Sequence, residues 1–316
     1  MLVPESQRRT STELDERLDL TAGDRDAKRS AFWIMLALSG VISVAGVAGD
    51  STATVIGAMI VAPLSTPILG VGLGIATGRV GLIGHSLAVV ALGVVLVVAT
   101  GLVFAQLLPN PTDVLTNSQV LGRTSPDLSD LAAALATGLV GAVAVTRRDV
   151  GDVLPGVAIA ISLVPPLAVV GVCLGSGAPA LALGAFVLFL SNVLALVITV
   201  TVVLVVVGYG RNVTRRRSVY VTLATVLLIV TVPMVLNTLS SLWAQQISRA
   251  GQRWLADVPG AYVTDVAWHG TTVTVTVLGP IDLPPIDELH SAVDAIIPWD
   301  PDLQVVHTVG SRIDTG

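Results

Sequence analysis

Residues 55–74, which read VIGAMIVAPLSTPILGVGLG, form an apolar run long enough to cross a membrane, yet Pro63 and Pro67 stand at its centre. A membrane-spanning helix needs about 20 apolar residues. Proline removes a helical hydrogen bond, and an unpaired backbone group in hydrocarbon costs several kcal/mol. The sequence therefore predicts a membrane helix with a break that must be buried in protein or face a water-filled cavity.

The composition of the whole chain is that of an integral membrane protein. Hydrophobic residues make up 53% and charged residues 12% of the 316 residues, and the mean hydropathy is +0.83, whereas soluble domains carry about 25% charge. The apolar runs are longer than the roughly 10 residues of a membrane barrel strand, so helices are predicted. The single cysteine, Cys173, lies within one of these runs, and we expect it to pack as a small hydrophobic residue.

Polar and apolar stretches divide the chain into three parts. Residues 1–30 are polar and of mixed charge, which predicts a retained cytoplasmic arm that is mobile or forms a peripheral helix. Residues 31–239 predict an all-α polytopic membrane domain of about seven spans. Residues 240–316 alternate between strand-like and amphipathic helical patterns, which predicts a small soluble α/β domain. Within the membrane domain the predicted parts are a first repeat over 31–108, a second repeat over 127–208 and an extra helix over 219–239.

The basic residues of the short loops predict the orientation, because such residues are enriched in cytoplasmic loops. If the N-terminus is cytoplasmic, the loops that contain Arg79, residues 147–148 and residues 211–217 all lie on the cytoplasmic side. Arg123 departs from this pattern on the outer side, where it can attract an anion or, in the favoured interpretation, pair with Asp127. The C-terminal domain is then predicted to be extracytoplasmic.

A second apolar segment has the same layout as the first. Residues 156–175, GVAIAISLVPPLAVVGVCLG, also carry a central proline pair, Pro165 and Pro166, and end in spaced glycines. Each segment is the middle span of a three-span unit, and the two units enter the membrane from opposite sides. Secondary transporters with inverted repeats place broken helices at a midplane binding site in this way. Two proline-kinked helices could also align through composition alone, since proline and glycine are common in membrane helices, but the matching position and opposite orientation favour an inverted repeat.

The two breaks form the predicted substrate site. In the first break, Ser65 or Thr66 can cap a second half-helix that begins at Pro67, and the amides at such an end carry partial positive charge. This end favours an anionic group such as phosphate or carboxylate, although the carbonyl ends of the first half-helices would suit Na⁺. Asn192, near the midpoint of the predicted sixth span, can bind solute or form a hydrogen bond to a neighbouring helix. The candidate contacts are Ser65, Thr66, Pro67, Ser162, Pro165, Pro166 and Asn192.

Glycines at four-residue spacing predict faces for close helix packing. In the first broken segment they are Gly70, Gly74 and Gly78, and in the second they are Gly171 and Gly175. A dinucleotide-binding loop is not indicated, because these glycines follow no predicted strand and lie in a membrane run. Such faces, together with the C-terminal domain, lead us to expect a homo-oligomer.

The remaining chemistry of the sequence is sparse. The apolar interiors contain no Asp, Glu, Lys or Arg, so a proton relay through a midplane carboxylate is not indicated. The histidines show no metal-ligand spacing, and no nucleophile, base and orienting group can be matched. We therefore expect no enzyme activity, metal or cofactor. The basic cluster 211–217 is typical of a topology signal that contacts lipid headgroups, and no nucleic-acid partner is expected.

Four segments carry a resemblance to a known family. They are residues 56–70 (IGAMIVAPLSTPILG), 122–128 (GRTSPDL), 155–171 (PGVAIAISLVPPLAVVG) and 188–196 (LFLSNVLAL). At these motifs, across residues 30–210, the chain resembles the prokaryotic membrane-protein family known as domain of unknown function 389. The resemblance implies a multi-span protein of a bacterial or archaeal membrane. Between the two prolines of the first break, Ser65 and Thr66 stand where the family pattern has a bulky apolar residue and a glycine.

The leading functional prediction is a transporter in the plasma (inner) membrane. It is expected to bind a small solute, anionic in the favoured interpretation, between the two broken helices. Its expected partners are the lipid bilayer, that solute and further copies of the chain. The alternative is a membrane-anchored sensor or scaffold whose C-terminal domain binds a ligand or a partner. A channel is not indicated, because the spans show no continuous polar stripe.

Overall fold

The computed structural model of the chain divides into two compact units, Met1–Met234 and Val235–Gly316. The predicted site residue Ser162 and the first half of the second broken segment lie outside the residues that the structure describes. The described residues are 4–108, 112–150, 163–210, 216–269, 272–297, 299 and 301–310.

The first unit is built from helices. In chain order they are α1 (Ser11–Leu18), α2 (Arg25–Ala48), α3 (Thr52–Val61), α4 (Ser65–Thr77), α5 (Val80–Leu107), α6 (Ser118–Thr124), α7 (Leu128–Thr146), α8 (Val164–Gly175), α9 (Pro179–Val207) and α10 (Arg216–Trp254). The last of these continues beyond the first unit into the second.

Several of these helices can cross a membrane. α2, α5, α7 and α9 are each long and apolar enough to do so, and the pair α3 and α4 passes the same test as one span bent by 49°. The chain is therefore a multi-pass membrane protein, as predicted. Among the described residues there are four such helices, or five spans if the bent pair counts as one, compared with the seven that the sequence predicts. Of the other predicted spans, α8 is an apolar helix of 12 residues, and the predicted seventh span is part of α10.

Polar caps begin two of the membrane helices. Asp24 accepts a hydrogen bond from the Ala27 amide at the start of α2, at 3.2 Å. Asp127 forms a capping box with Asp130 at the start of α7, which confirms the predicted N-cap of that span. These carboxylates satisfy amides that the first turn of a helix leaves without partners.

Small residues let the helices of the first unit approach closely. Gly101 of α5 faces Gly171 of α8. A methyl group added at Gly171 would lie 2.3 Å from the Val98 carbonyl oxygen. A methyl group added at Gly138 of α7 would lie 2.2 Å from the Thr199 hydroxyl of α9. Membrane helices associate through such contacts, because lipid tails leave no hydrophobic driving force between helices.

The second unit is a small α/β domain, as predicted. Its strands β1 (Tyr262–His269), β2 (Thr272–Gly279) and β3 (Asp302–Val309) form one sheet in the order β1-β2-β3, and α11 (Ile286–Asp294) lies between β2 and β3 in sequence. β1 pairs with β2 antiparallel, whereas β3 pairs with β2 parallel. Alternate residues of β2 are buried in a core that includes Leu289 of α11. The strand thus buries one face, as its period of two requires.

Candidate functional site

The break between α3 and α4 is shielded inside the first unit. Leu64, which joins the two helices, is fully buried and lies over Gly93 of α5. The Ser39 hydroxyl of α2, also fully buried, donates to the Ala58 carbonyl of α3 at 2.8 Å. Protein therefore covers the backbone where the helical hydrogen bonds are interrupted, which is the condition for a break at membrane depth.

The predicted substrate contacts of the first break occupy the first turn of α4. Ser65 and Thr66 are its first two residues and are half-buried, and Pro67 is its third residue and is buried. The prediction that Ser65 or Thr66 caps this helix is wrong, because Leu64 holds the N-cap position and no side-chain cap is present. The Thr66 amide bonds instead to the Pro63 carbonyl at 3.1 Å. A backbone carbonyl thus accepts the hydrogen bond of the Thr66 amide, and neither the Ser65 nor the Thr66 hydroxyl caps the helix.

The second predicted break coincides with the start of α8. This helix begins at Val164, so Pro165 and Pro166 fill its second and third positions. Residues 163–173 are all buried. Proline has no amide hydrogen, so the first turn of α8 offers few donors to an anion. Because the first turn of α4 also contains a proline, the backbone gives little support to an anion site at either helix start.

Both half-helices pack against the same two long helices. α4 contacts α5 and α9, and α8 contacts α5 and α9 as well. Gly72 of α4 lies against Val200 of α9, and Gly171 of α8 lies against Gly101 of α5. The two turns that contain prolines are therefore held in one helical bundle.

Hydroxyl and amide groups are the polar side chains buried in these helices. Asn192 of α9 is 3% exposed, beside Ser191, whose hydroxyl donates to the Leu188 carbonyl at 2.8 Å. Two buried serines of α2, Ser39 and Ser43, were not among the predicted contacts, although their four-residue spacing in an apolar span is a visible signal. The Ser43 hydroxyl has no hydrogen-bond partner within the described residues. Over the same residues, no group of three or more His, Cys, Asp and Glu side chains could hold a metal ion.

The glycines predicted to pack lie, with one exception, at close contacts within the chain. In each case an added methyl group would lie 2.8 Å or less from the residue opposite: Gly70 against Leu18, Gly74 against Ile83, Gly171 against Gly101, and Gly175 against Ala105. Gly78 follows the last residue of α4 and has a φ of 76°, so it ends that helix rather than packing a face. These contacts lie within one chain and do not test the expected homo-oligomer, which stays a prediction.

The N-terminal arm is docked on the first unit. α1 begins at a capping box formed by Thr10 and Glu13, and its Leu14 and Leu18 are buried. The helix packs on α4, the second half of the bent span. The arm is helical, one of the two predicted forms, and it is held by burial of its leucines rather than left mobile.

Charged side chains of the arm contact the ends of three membrane helices. The contacts are Glu13 with Arg148 after α7, Asp15 with Arg79 after α4, and Arg8 over the ring of Tyr209 after α9. The carboxyl ends of α4, α7 and α9 therefore lie on the same side of the first unit.

We expect the contribution of the Glu13–Arg148 ion pair to docking of the arm to be constant from about pH 5 to about pH 8, because this pair does not titrate there. The hydrogen bond from Arg148 lowers the pKa of Glu13 from 4.5 to about 2. A carboxyl whose pKa is lower in the folded chain contributes fully above its unfolded value, and that contribution is lost as the pH falls through about 2. Salt should weaken docking, since exposed charges are screened. Hydrogen exchange of residues 11–18 measures the effects of pH and of salt on docking. A loss of protection near pH 5 would contradict the expected constancy with pH.

A second polar cluster lies where α2 ends and α3 begins. The Asp50 carboxylate accepts hydrogen bonds from the Ser118 hydroxyl at 2.7 Å and from the Gln119 amide at 3.2 Å. The Gln119 side chain donates to the Thr52 hydroxyl at 2.8 Å. The hydrogen bond from Ser118 lowers the pKa of Asp50. The cluster ties α6 to the junction between α2 and α3.

Arg123 belongs to this cluster rather than to the start of α7. Its guanidinium donates to the Gln119 carbonyl at 2.8 Å and to the Gln119 side-chain oxygen at 3.0 Å. The predicted pair with Asp127 is therefore wrong, because the Asp127 carboxylate is taken by amides of its own helix, Ser129 and Asp130. Burial lowers the pKa of Arg123.

Comparison with known proteins finds a family match over part of the chain. Residues 59–198 match the model of the family described as Domain of unknown function (DUF389). An uncharacterised protein of Methanocaldococcus jannaschii is 31% identical over 177 residues, which are 56% of this chain and 53% of that protein. The chain thus spans about half the length of the curated relative that it matches. The predicted resemblance is confirmed, and the matched residues include both proline-containing turns.

Proposed function

We propose that this chain, which carries a domain of the DUF389 family, is a transporter that moves a small polar solute past its two proline-containing turns. The observation that carries the proposal is the 49° bend between α3 and α4, where the half-buried hydroxyls of Ser65 and Thr66 interrupt an apolar span. Lipid does not tolerate such a break, so a membrane protein either buries it in protein or keeps it where it lines a cavity or a binding site, and the half-buried hydroxyls support the second case.

The packing of the helices supports an inverted repeat of two three-span units. α4 packs against α9, the third span of the other proposed unit, and α8 packs against α5 in the reciprocal way. The close contacts of Gly72 with Val200 and of Gly101 with Gly171 lie at these two interfaces. On this proposal the seven spans are α2, the pair α3 and α4, α5, α7, the segment that ends in α8, α9, and part of α10.

The docked arm supports a cytoplasmic N-terminus. It binds the arginines that follow α4 and α7 on one side of the first unit, and basic residues of short loops prefer the cytoplasm. With the family resemblance, this favours the plasma membrane of a prokaryote. The second unit would then be extracytoplasmic.

The solute is proposed to be small and polar, bound by hydroxyl and amide side chains. Ser65, Thr66 and Asn192 supply such groups. The prolines in the first turns of α4 and α8 remove amides that would hold a phosphate or a carboxylate. An anion, which the sequence favours, is one of the solute classes that the experiment below compares.

The test is whether water reaches the break. In a chain with Cys173→Ala, the variant Ser65→Cys should react with a hydrophilic, membrane-impermeant thiol reagent added to proteoliposomes, because a transport path is wet. The matched control Val95→Cys is 64% exposed on α5 and faces lipid on this proposal, so it should not react. A solute that binds at the break should slow labelling of Ser65→Cys. The labelling rate is therefore compared in the presence of uncharged polyols, amino acids, phosphate and carboxylates. No labelling of Ser65→Cys from either side would contradict the transporter.

The second candidate is a sensor or scaffold, and one feature of the second unit favours it. A groove of about 380 Å³ lies between α10 and α11. Exposed Arg253 and Glu288 line it together with Trp254, whose indole donates to the Pro285 carbonyl at 3.0 Å. This function would be favoured over transport by two results together: no labelling of Ser65→Cys by the hydrophilic reagent, and a ligand whose binding is lost in Trp254→Ala.

A further inference from the structure

Two basic side chains meet near the starts of α2 and α5. Arg29 Nη2 lies 3.5 Å from His85 Nε2, and both residues are half-buried. Arg29 lies in the second turn of α2 and His85 in the second turn of α5, so both stand at one edge of the apolar spans. Neither side chain forms an ion pair with a carboxylate in the part of the chain that the structure describes.

The neighbouring acidic groups are engaged elsewhere or face solvent. The carboxylates of α1 that form ion pairs do so with the arginines after α4 and α7, and Asp24 caps α2. Asp26 is exposed. Lys28, next to Arg29, donates to carbonyl groups of the arm. Arg29 is thus left with one long contact to a histidine, and a partly buried cation is costly unless an anion completes its partners.

The surface beside His85 is open and continues onto exposed apolar side chains. A methyl group added at Gly81 or Gly84 would meet nothing within 4 Å. Deeper in the two spans, Ile34 of α2 is 56% exposed and Leu87 of α5 is 49% exposed. A ligand here would meet basic groups at one end and apolar side chains along its length, which is the shape of a phospholipid rather than of a free anion.

We propose that Arg29 and His85 bind the phosphate group of an anionic phospholipid, whose acyl chains lie along the exposed apolar faces of α2 and α5. A guanidinium binds phosphate oxygens through two parallel hydrogen bonds, and the N–H of an imidazole adds a donor. Basic groups at the cytoplasmic boundary attract anionic lipid. The open surface at Gly81 and Gly84 admits the headgroup. The site is distinct from the solute path and does not depend on transport.

Native mass spectrometry of the full chain in detergent, titrated with phosphatidylglycerol or phosphatidylcholine, tests the site. The double variant Arg29→Gln with His85→Gln should bind phosphatidylglycerol about tenfold more weakly, since two basic groups are lost. Its binding of phosphatidylcholine should be unchanged. A melting temperature equal to that of the wild type, measured without added lipid, shows that the variant is folded. If it is not folded, Arg29→Lys and His85→Gln are compared singly, and the histidine variant should lose more affinity than the lysine variant.

The matched control is Arg25→Gln, an exposed basic residue in the first turn of α2. It should change phosphatidylglycerol affinity by less than about threefold, because a fully exposed basic group attracts the lipid only through a charge that salt screens. Equal affinity of the double variant and the wild type would overturn the proposal, and so would an equal loss in Arg25→Gln. Displacement of the lipid by inorganic phosphate alone would assign the site to a free anion and would also overturn it.

Discussion

Replacing Gly171 with alanine is expected to lower the free energy of unfolding of the membrane unit by about 3 kcal/mol, at the upper end of overpacking costs. The new methyl group would lie 2.3 Å from the Val98 carbonyl oxygen and 2.8 Å from the Gly101 Cα. Both neighbours are backbone atoms, which cannot turn aside as the end of a side chain can. The helices α5 and α8 would have to separate, and the contacts that close packing provides would be lost.

The matched control is Gly57→Ala in α3, where an added methyl group meets nothing within 4 Å. This variant should be as stable as the wild type or slightly more stable, because alanine is the better helix former by about 1 kcal/mol. Thermal unfolding in detergent, followed by circular dichroism, compares the three proteins. If Gly171→Ala melts at the temperature of the other two, α5 and α8 do not approach as closely as described.

Replacing Leu14 with alanine is expected to release the N-terminal arm. Leu14 is fully buried, and removing a buried leucine side chain costs about 2–5 kcal/mol. Since α1 is a short helix that packs on the outside of the membrane spans, the loss should appear as local detachment rather than as global unfolding. A loss of about 3 kcal/mol raises the detached fraction roughly 100-fold.

Tryptic cleavage after Arg17, which lies within α1, measures this detachment. The cleavage rate should rise with the detached fraction while the melting temperature of the remaining protein changes little. Leu121→Ala in α6 serves as the control, because Leu121 is 54% exposed and its loss should cost less than about 0.5 kcal/mol. An unchanged cleavage rate for Leu14→Ala would mean that the ion pairs, and not the leucines, hold the arm.

The membrane character and the elements of the second unit could be read from the chain because local patterns encode them. An apolar run of about 20 residues has few alternatives to a membrane helix. Alternation along residues 272–279 marks a strand with one buried face. Asp127 could be identified as an N-cap because the capping residue and its helix are neighbours in sequence.

The candidate site was predicted less well, because patterns in the sequence do not show which of the available partners, near or distant, a group bonds to. Ser65 and Thr66 were placed at the break but not in their positions on α4, since the turn at Pro63 satisfies the backbone itself. Arg123 was assigned to Asp127, although Gln119, which is also four residues away but on the same helix, accepts its hydrogen bonds. Ser39 was overlooked because its partner is a carbonyl group of another helix.

The sequence by itself determined that this protein has apolar spans, that one of them is broken beside Pro63, and that a small α/β unit follows, because periodicity and backbone chemistry act locally. Only the tertiary structure decided that the arm docks on α4, that α4 and α8 share α5 and α9 as neighbours, and that Arg29 meets His85. Those arrangements follow from close packing of distant small residues and from pairing of distant charges. No stretch of sequence carries both partners of such a contact.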